Sequence, residues 1–228
     1  MNEADVALKP RSLSMAEAAS IPLVGLTAWQ ALVERANLQH GQKVFIQAGS
    51  GGVGTFAIQL AKHLGATVAT TTSAANVELV AGLGADIVID YKTQDFEAIL
   101  DNYDLVLHSQ DGTTLDKSLR VLKPGGRLIS ISGPDPAFGD DIGAPWFVKP
   151  ILRAGSSTTR RRAKRLAVDY SFLFMRANRT QLTEITSPID AGIIRPILDS
   201  VSFFTSTSEA IAYVESGRAK GKVVVTMR

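Results

Sequence analysis

The chain has 228 residues, 45% of them hydrophobic and 20% charged, with a formal net charge of +2 and no cysteine. That length holds one large or two small domains with a real core, and the lack of cysteine excludes a disulfide framework or a thiolate zinc site within these residues. The first eleven residues carry Glu3 and Asp5 and no uninterrupted apolar run, so they read as neither a signal peptide nor a membrane span, and a cytoplasmic protein is expected.

In chain order, Ser14 and Glu17 form an SxxE capping box that opens a short helix toward Ser20, which Pro22 then interrupts. A second helix follows, with Leu26, Trp29, Gln30, Leu32 and Val33 at turn spacings, ending near the breaker at Asn37 to Gly41. Lys43 to Ala48 is rich in β-branched and aromatic residues and reads as a buried strand. Gly49, Ser50, Gly51, Gly52, Val53 and Gly54 then spell GxGxxG, and an amphipathic helix runs on toward Ala66. In this strand-turn-helix setting the first glycine permits a tight turn, the second lets backbone approach a pyrophosphate, and the third lets helix pack on strand. The helix start adds N–H groups and the positive end of the dipole. A glycine-rich surface turn is the alternative for the motif alone; the flanking strand and helix favour the phosphate cradle.

The pattern then alternates: strand 67–71, helix 76–82, strand 86–90, helix 96–101, strand 103–108, helix 114–122, the turn Lys123 to Gly126, and strand 127–132. Strands alternating with helices predict a doubly wound parallel sheet, because parallel neighbours require crossovers. After Gly133 a proline- and glycine-rich loop to Pro145 leads into a basic helical stretch, a sixth strand at Tyr170 to Met175 and a helix at Leu182 to Ala191. An extended run follows, then a second SxxE box at Ser206 and Glu209 opening a helix to about Ser216, and a strand from Lys222 to Thr226. Between Lys149 and Arg179 nine basic residues stand against one acid, Asp169. A nucleic-acid surface is one reading of Arg160 to Arg165. No aromatic residue interleaves there as a stacking platform needs, so a solvated helix face or an interdomain surface is preferred and no nucleic-acid partner is expected.

The phrases IPLVGLTAWQAL, QAGSGGVGTFAIQLAKHLGA, LGADIVIDY, LKPGGRLISISG, YSFLFMR and SGRAKGKVVV resemble, in order, the medium-chain dehydrogenase/reductase superfamily, in particular its zinc-independent quinone oxidoreductase branch. The resemblance implies a Rossmann-type α/β fold with a six-stranded parallel sheet at 37–192, interdomain linker and helices at 1–36, and at 193–228 a C-terminal tail. In relatives that tail returns to a barrel-like catalytic domain preceding the linker. The function implied is NADPH-dependent hydride transfer to a quinone or other activated enone; the alternative is a catalytically incomplete NADP(H)-binding module.

By the same resemblance Gly49, Gly51, Gly52, Val53 and Gly54 hold the dinucleotide, and Thr72, Ser73, Asn76, Tyr91 and Arg218 surround the 2′-phosphate. Relatives commonly carry lysine at the position of Asn76. No acid follows the second strand, where an NAD-specific site places one, so tighter binding of NADPH than NADH is expected. The threonines there also suit a strand on propensity alone. Thr27 matches a residue beside the nicotinamide, and Ser132, Gly133 and Pro134 match the loop bordering it. His108, at the carboxyl end of a strand, reads as a pocket-lining or surface residue, with proton donation as the sharper alternative. No catalytic residue is assigned. Zinc-binding members place a cysteine ligand four residues before Thr27, where this chain has Leu23, so no metal is expected. A homodimer is expected through the edge strand at 170–175, apolar at Phe172, Leu173 and Phe174 alike.

Overall fold

The computed structural model describes residues 2–132 and 157–227. Strands β1 (Lys43–Ile46), β2 (Thr67–Thr72), β3 (Ile87–Asp90), β4 (Tyr103–His108), β5 (Leu122–Ser130) and β6 (Asp169–Phe172) form one sheet in the order β3-β2-β1-β4-β5-β6, every pair parallel. This is the doubly wound Rossmann order, with its reversal between β1 and β4.

Strand periodicity divides the core in two, because successive side chains point to opposite faces. Val44, Ile46, Val68, Leu105, Leu107 and Ile129 pack on one face against helices α2 (Ile21–Trp29), α3 (Gly52–His63) and α4 (Val77–Gly82) and their neighbours, with the short helix α1 (Met15–Ala19) lying beside α2. Phe45, Ala69, Ile89, Val106 and Leu128 face the other side, toward Phe96, helix α5 (Gly112–Arg120) and Ala163 of helix α6 (Ser157–Arg165). Ile185 and Ile189 of helix α7 (Arg179–Asp190) join the first face.

Sequence periodicity placed the sheet correctly and several boundaries incorrectly. Ser14 caps α1 as read, its side chain accepting from Glu17 N–H while Glu17 reaches back to Ser14 N–H (2.8 Å). Pro22 does not end that helix; it sits in the first turn of α2, where its missing N–H costs nothing. α2 runs directly into a π-helical segment, Gln30–Arg35. The helix expected at 96–101 is a single 3₁₀ turn, Phe96–Ala98, pinned by Phe96 packing on Phe45 with ring centroids 4.9 Å apart. α5 begins at Gly112, before the expected Thr114, because Asp111 caps it by accepting from Thr114 N–H (3.0 Å).

The turn Lys123 to Gly126 lies inside β5 as a bulge: Leu122 pairs with Tyr103, and pairing resumes at Arg127 with Leu105. β5 ends at Ser130, not Ser132. The sixth strand is Asp169–Phe172, shorter than the expected 170–175, and Phe172 and Leu173 are both buried, leaving Phe174 as the exposed apolar residue. The Gly133 to Pro145 loop lies outside the described residues.

The tail forms β7 (Leu198–Phe203), helix α8 (Thr207–Glu215) and β8 (Lys222–Thr226), with β7 and β8 paired parallel as a separate sheet. The Ser206–Glu209 box is not made. Ser206 has ψ 25° where the capping Ser14 has 169°, since a 3₁₀ turn at Phe204–Ser206 feeds straight into the helix and no side chain caps it. The tail is tied to the sheet domain. Gln59, on α3, donates to Arg195 O (2.9 Å) and accepts from Arg195 N–H (3.0 Å), while Gly221 N–H donates to Ser50 O (2.8 Å). Its outer surface stays bare: Val201, Phe203 and Phe204 are 51%, 67% and 59% exposed, with Ile211 and Val214 also exposed beside them. Among the described residues no helix is long and apolar enough to cross a membrane.

Candidate functional site

Open α/β sheets take ligands beyond the carboxyl ends of their strands, at the reversal of strand order. Here that point lies between Ile46 and His108, and the glycine turn leaves β1 beside it.

Each glycine of the turn answers to a different neighbour. The left-handed residue is Ala48, at φ 52°, not Gly49. Gly49 is required by β2: a Cβ there would come within 3.0 Å of Thr70 Cγ2 and nearer still to its hydroxyl. On Gly54 a Cβ would lie 2.8 Å from Gly49 Cα and 2.9 Å from its carbonyl carbon, both backbone atoms. At Gly52 it would meet the tail, with Lys222 Cδ at 2.8 Å. At Gly51 it would meet only Ala48 O, at 3.3 Å, so the space beyond this residue is open. Gly51 is also the N-cap of α3 and brings no side-chain cap, which leaves the first N–H groups of a twelve-residue helix pointing past it.

That opening belongs to a cleft of about 880 Å³ lined by Ser50, Gly51, Thr72, Tyr91, Lys92, Asp111, Lys117, Gly217 and Ala219 among others. Ser50 is the centre of its polar floor. Its hydroxyl accepts from Thr72 Oγ1 (3.0 Å) and from Asn76 Nδ2 (3.3 Å), and Asn76 Nδ2 also lies 3.3 Å from Ser73 Oγ. Asn76 Oδ1 is buried without a partner among the described residues. Lys117 is paired with Asp95. A second cleft of about 510 Å³, lined by Gln59, His63 and Arg195 among others, lies at the carboxyl ends of α3 and α4, at the amino-terminal side of the sheet and away from the strand reversal.

His108 is 1% exposed, and burial pushes its imidazole down to about 4, with the Asp111 carbonyl and carboxylate opposing more weakly. It is therefore neutral at pH 7. Nε2 lies 3.2 Å from Asp111 O, an acceptor only, so Nε2 carries the proton, and Nδ1 accepts from Ser130 Oγ at 3.1 Å. Ser130 shares its one proton with Ser132 O (2.6 Å). The histidine thus holds the end of β5 and the first residues after it. As a neutral, enclosed ring engaged on both nitrogens, it is placed for anchoring, not for proton donation.

Of the residues singled out in the sequence, Gly51, Thr72 and Tyr91 line the cleft, and Gly217 and Ala219 carry Arg218 to its rim. Asn76 joins the floor through Ser50, and Ser73 through Asn76, while Gly49, Gly52, Val53 and Gly54 build the turn beneath. Thr27 is buried inside α2 with its hydroxyl donated to Leu23 O (2.7 Å), apart from this cleft. Ser132 is described; Gly133 and Pro134 lie outside the described residues. Sequence reasoning missed Ser50 as the hub, Lys92 on the wall, and Gln47, buried at the end of β1 and donating to Ser118 Oγ (2.8 Å). A polar residue directly after an apolar strand was the available signal for Gln47. Among the described residues no group of three His, Asp or Glu stands close enough to hold a metal, and without cysteine the donor set does not fit a thiolate zinc centre.

The zinc-binding dehydrogenase family matches residues 83–225. The chain is 38% identical over 233 residues to the mitochondrial NAD(P)H oxidoreductase RTN4IP1 of Danio rerio, covering 98% of this chain and 60% of that one. It is 34% identical over 224 residues to the 2-methylene-furan-3-one reductase of Solanum lycopersicum, covering 96% and 49% respectively. Among solved structures, the quinone oxidoreductase from Coxiella burnetii aligns with a TM-score of 0.82 at 29% identity, covering 96% of this chain and 63% of that one. The chain therefore spans less than two thirds of the length of each of these relatives.

Proposed function

This chain belongs to the zinc-binding dehydrogenase family of the medium-chain dehydrogenase/reductase superfamily, and from that premise we propose that it binds a nicotinamide dinucleotide, accepts NADPH, and serves hydride transfer to a quinone or other activated enone. The observation that carries the reading is the glycine cradle open at Gly51 onto a large cleft with no carboxylate at the end of β2. In this reading Gly51 and the start of α3 hold the pyrophosphate, while Thr72, Ser73, Asn76, Tyr91 and Arg218 surround the adenosine ribose. Lys92 adds a cation on the cleft wall, where the neutral Asn76 brings none. The bound dinucleotide supplies the hydride. The chain's own part is to fix it: Gly51 admits the backbone, and His108 through Ser130 sets the segment entering Ser132.

The test is fluorescence titration with NADPH and NADH, followed by oxidation of NADPH with a panel of quinones and enones. Micromolar binding is expected, with slow turnover by the 228-residue chain. Hydride transfer needs a dry acceptor about 3 to 3.5 Å from the donor, and the bare tail surface of Val201, Phe203 and Phe204 supports a reading in which part of the substrate wall comes from elsewhere. A version joined to a relative's preceding barrel-like domain is expected to run at least about a hundredfold faster, the scale of loss seen when positioning fails. Equal rates would sink this account of the substrate site; failure to bind either dinucleotide would sink the whole reading. The second reading, a dinucleotide-binding module without turnover, rests on the same bare surface and predicts binding with no oxidation in either form.

A homodimer through the edge of the sheet at β6 is part of the proposal. Leu173 is a poor probe of it, because its N–H donates to Ser130 O (2.8 Å) inside its own sheet. Phe174, exposed beside the edge, is the better one. Sedimentation velocity is expected to find a dimer for the wild type and a monomer for Phe174→Asp; a wild-type monomer at every concentration would refute the pairing.

A further inference from the structure

We infer that Asn76 is a positioning residue that lets the adenosine-ribose site accept NADH and NADPH comparably, by switching the hydroxyl of Ser50 between donor and acceptor. The inference rests on the dinucleotide reading above and narrows the NADPH preference expected from the missing acid after β2.

The argument is a count of protons and lone pairs. A serine hydroxyl has one proton to give and two lone pairs to fill. Ser50 Oγ already accepts from Thr72 Oγ1 at 3.0 Å and from Asn76 Nδ2 at 3.3 Å, so both lone pairs are taken and its proton is left for the cleft that Ser50 lines. Ser73 Oγ, 3.3 Å from the same amide nitrogen, likewise has its proton left to give. In this state the floor is a set of donors and suits the oxygens of a 2′-phosphate, which only accept near neutral pH.

The amide is not locked in that state. Both of its bonds are long, and its oxygen is buried with no partner among the described residues, an arrangement that carries the full cost of an unsatisfied acceptor. A half-turn about the Cβ–Cγ bond brings Oδ1 toward Ser50 and Ser73 and leaves the NH₂ group unpaired instead. The two orientations each leave one group unsatisfied, so neither strongly outweighs the other. In the turned state Ser50 donates to Oδ1 and still accepts from Thr72, leaving one lone pair toward the cleft. That floor accepts, and it suits a ribose 2′-hydroxyl with a proton to give. A lysine at this position only donates and carries charge, so it holds the serines as donors; an aspartate only accepts and holds their protons.

The experiment is a double-mutant cycle read as the ratio of NADPH to NADH dissociation constants, measured by fluorescence titration with no substrate present. Wild type is expected to bind the two within about fivefold, the difference made by one neutral hydrogen bond. Asn76→Asp is expected to move the ratio toward NADH by at least about tenfold, the scale of a hydrogen bond to a charged group. With Ser50→Ala and Ser73→Ala both in place the same change is expected to shift it by less than about threefold, the coupling through the two hydroxyls having been removed. A wild-type preference above about a hundredfold for either cofactor overturns the inference, as does an Asp shift of equal size in both backgrounds, which would make it a through-space charge effect. If neither dinucleotide binds, the proposed function falls and takes this inference with it.

Discussion

Gly54→Ala is expected to lower the unfolding free energy by about 3 kcal/mol or more, and the melting temperature by roughly 6–12 °C, because the added carbon is forced into backbone. Its neighbours would be Ala48 O and the Cα and carbonyl carbon of Gly49, none of which can rotate aside, so α3 must lift from the strand it follows. Gly51→Ala is the informative contrast. Its added carbon meets only Ala48 O at 3.3 Å, so stability is expected to change by less than about 1 kcal/mol. It stands, however, where a pyrophosphate would approach, and dinucleotide affinity is expected to fall by at least about tenfold for one lost charge-assisted hydrogen bond. Thermal melts and titrations on the two variants separate a glycine needed for packing from one needed for binding. Equal losses of stability in both would refute the division.

The same pair of glycines marks how far local sequence reaches. The strand-turn-helix around Lys43 to Ala66 was legible because each part is specified within a few residues: β-branched strand, glycine turn, amphipathic helix. Four of the six strands, β1 to β4, came out within two residues of their observed ends for that reason. What the sequence hid is set by distant partners. The positive φ falls on Ala48, while Gly49 is demanded by β2, whose Thr70 leaves no room for a side chain there. Ser14 and Ser206 head the same SxxE pattern, yet only the first arrives with extended backbone, so only the first caps. Phe96 to Asp101 has helical spacing, but the tilted ring contact of Phe96 with Phe45 holds it to one 3₁₀ turn. Within the site, glycines and threonines announced themselves by motif. Ser50 did not, since its place in the floor depends on Asn76 reaching back across 26 residues.

Acidification is expected to destabilise this protein through His108 before its carboxylates protonate. The imidazole falls from an ordinary 6.5 to about 4 because the folded protein buries it, while the unfolded chain leaves it near 6.5. Above pH 6.5 neither state binds the proton, and His108 has no effect on stability. Between pH 6.5 and 4 only the unfolded state binds it, so stability falls with pH by about 1.4 kcal/mol per unit, some 3 kcal/mol in all; below pH 4 both states bind it and the loss levels off. Carboxylates act in a lower window. Asp86 and Asp104 are held below the usual carboxylate value, burial being outweighed by their bonds to lysine and backbone N–H, so their contribution is present above pH 4 and lost as pH falls further. The two windows can be told apart with His108→Gln, whose amide can still donate toward Asp111 O and accept from Ser130. Urea unfolding at pH 7.5, 6, 5 and 4.5 is expected to show the wild type losing stability faster than the variant from pH 6.5 downward, by close to one proton's slope. Parallel curves would mean that His108 is not the buried neutral group described here, and that its ring must be re-examined as an accessible proton donor beside the cleft.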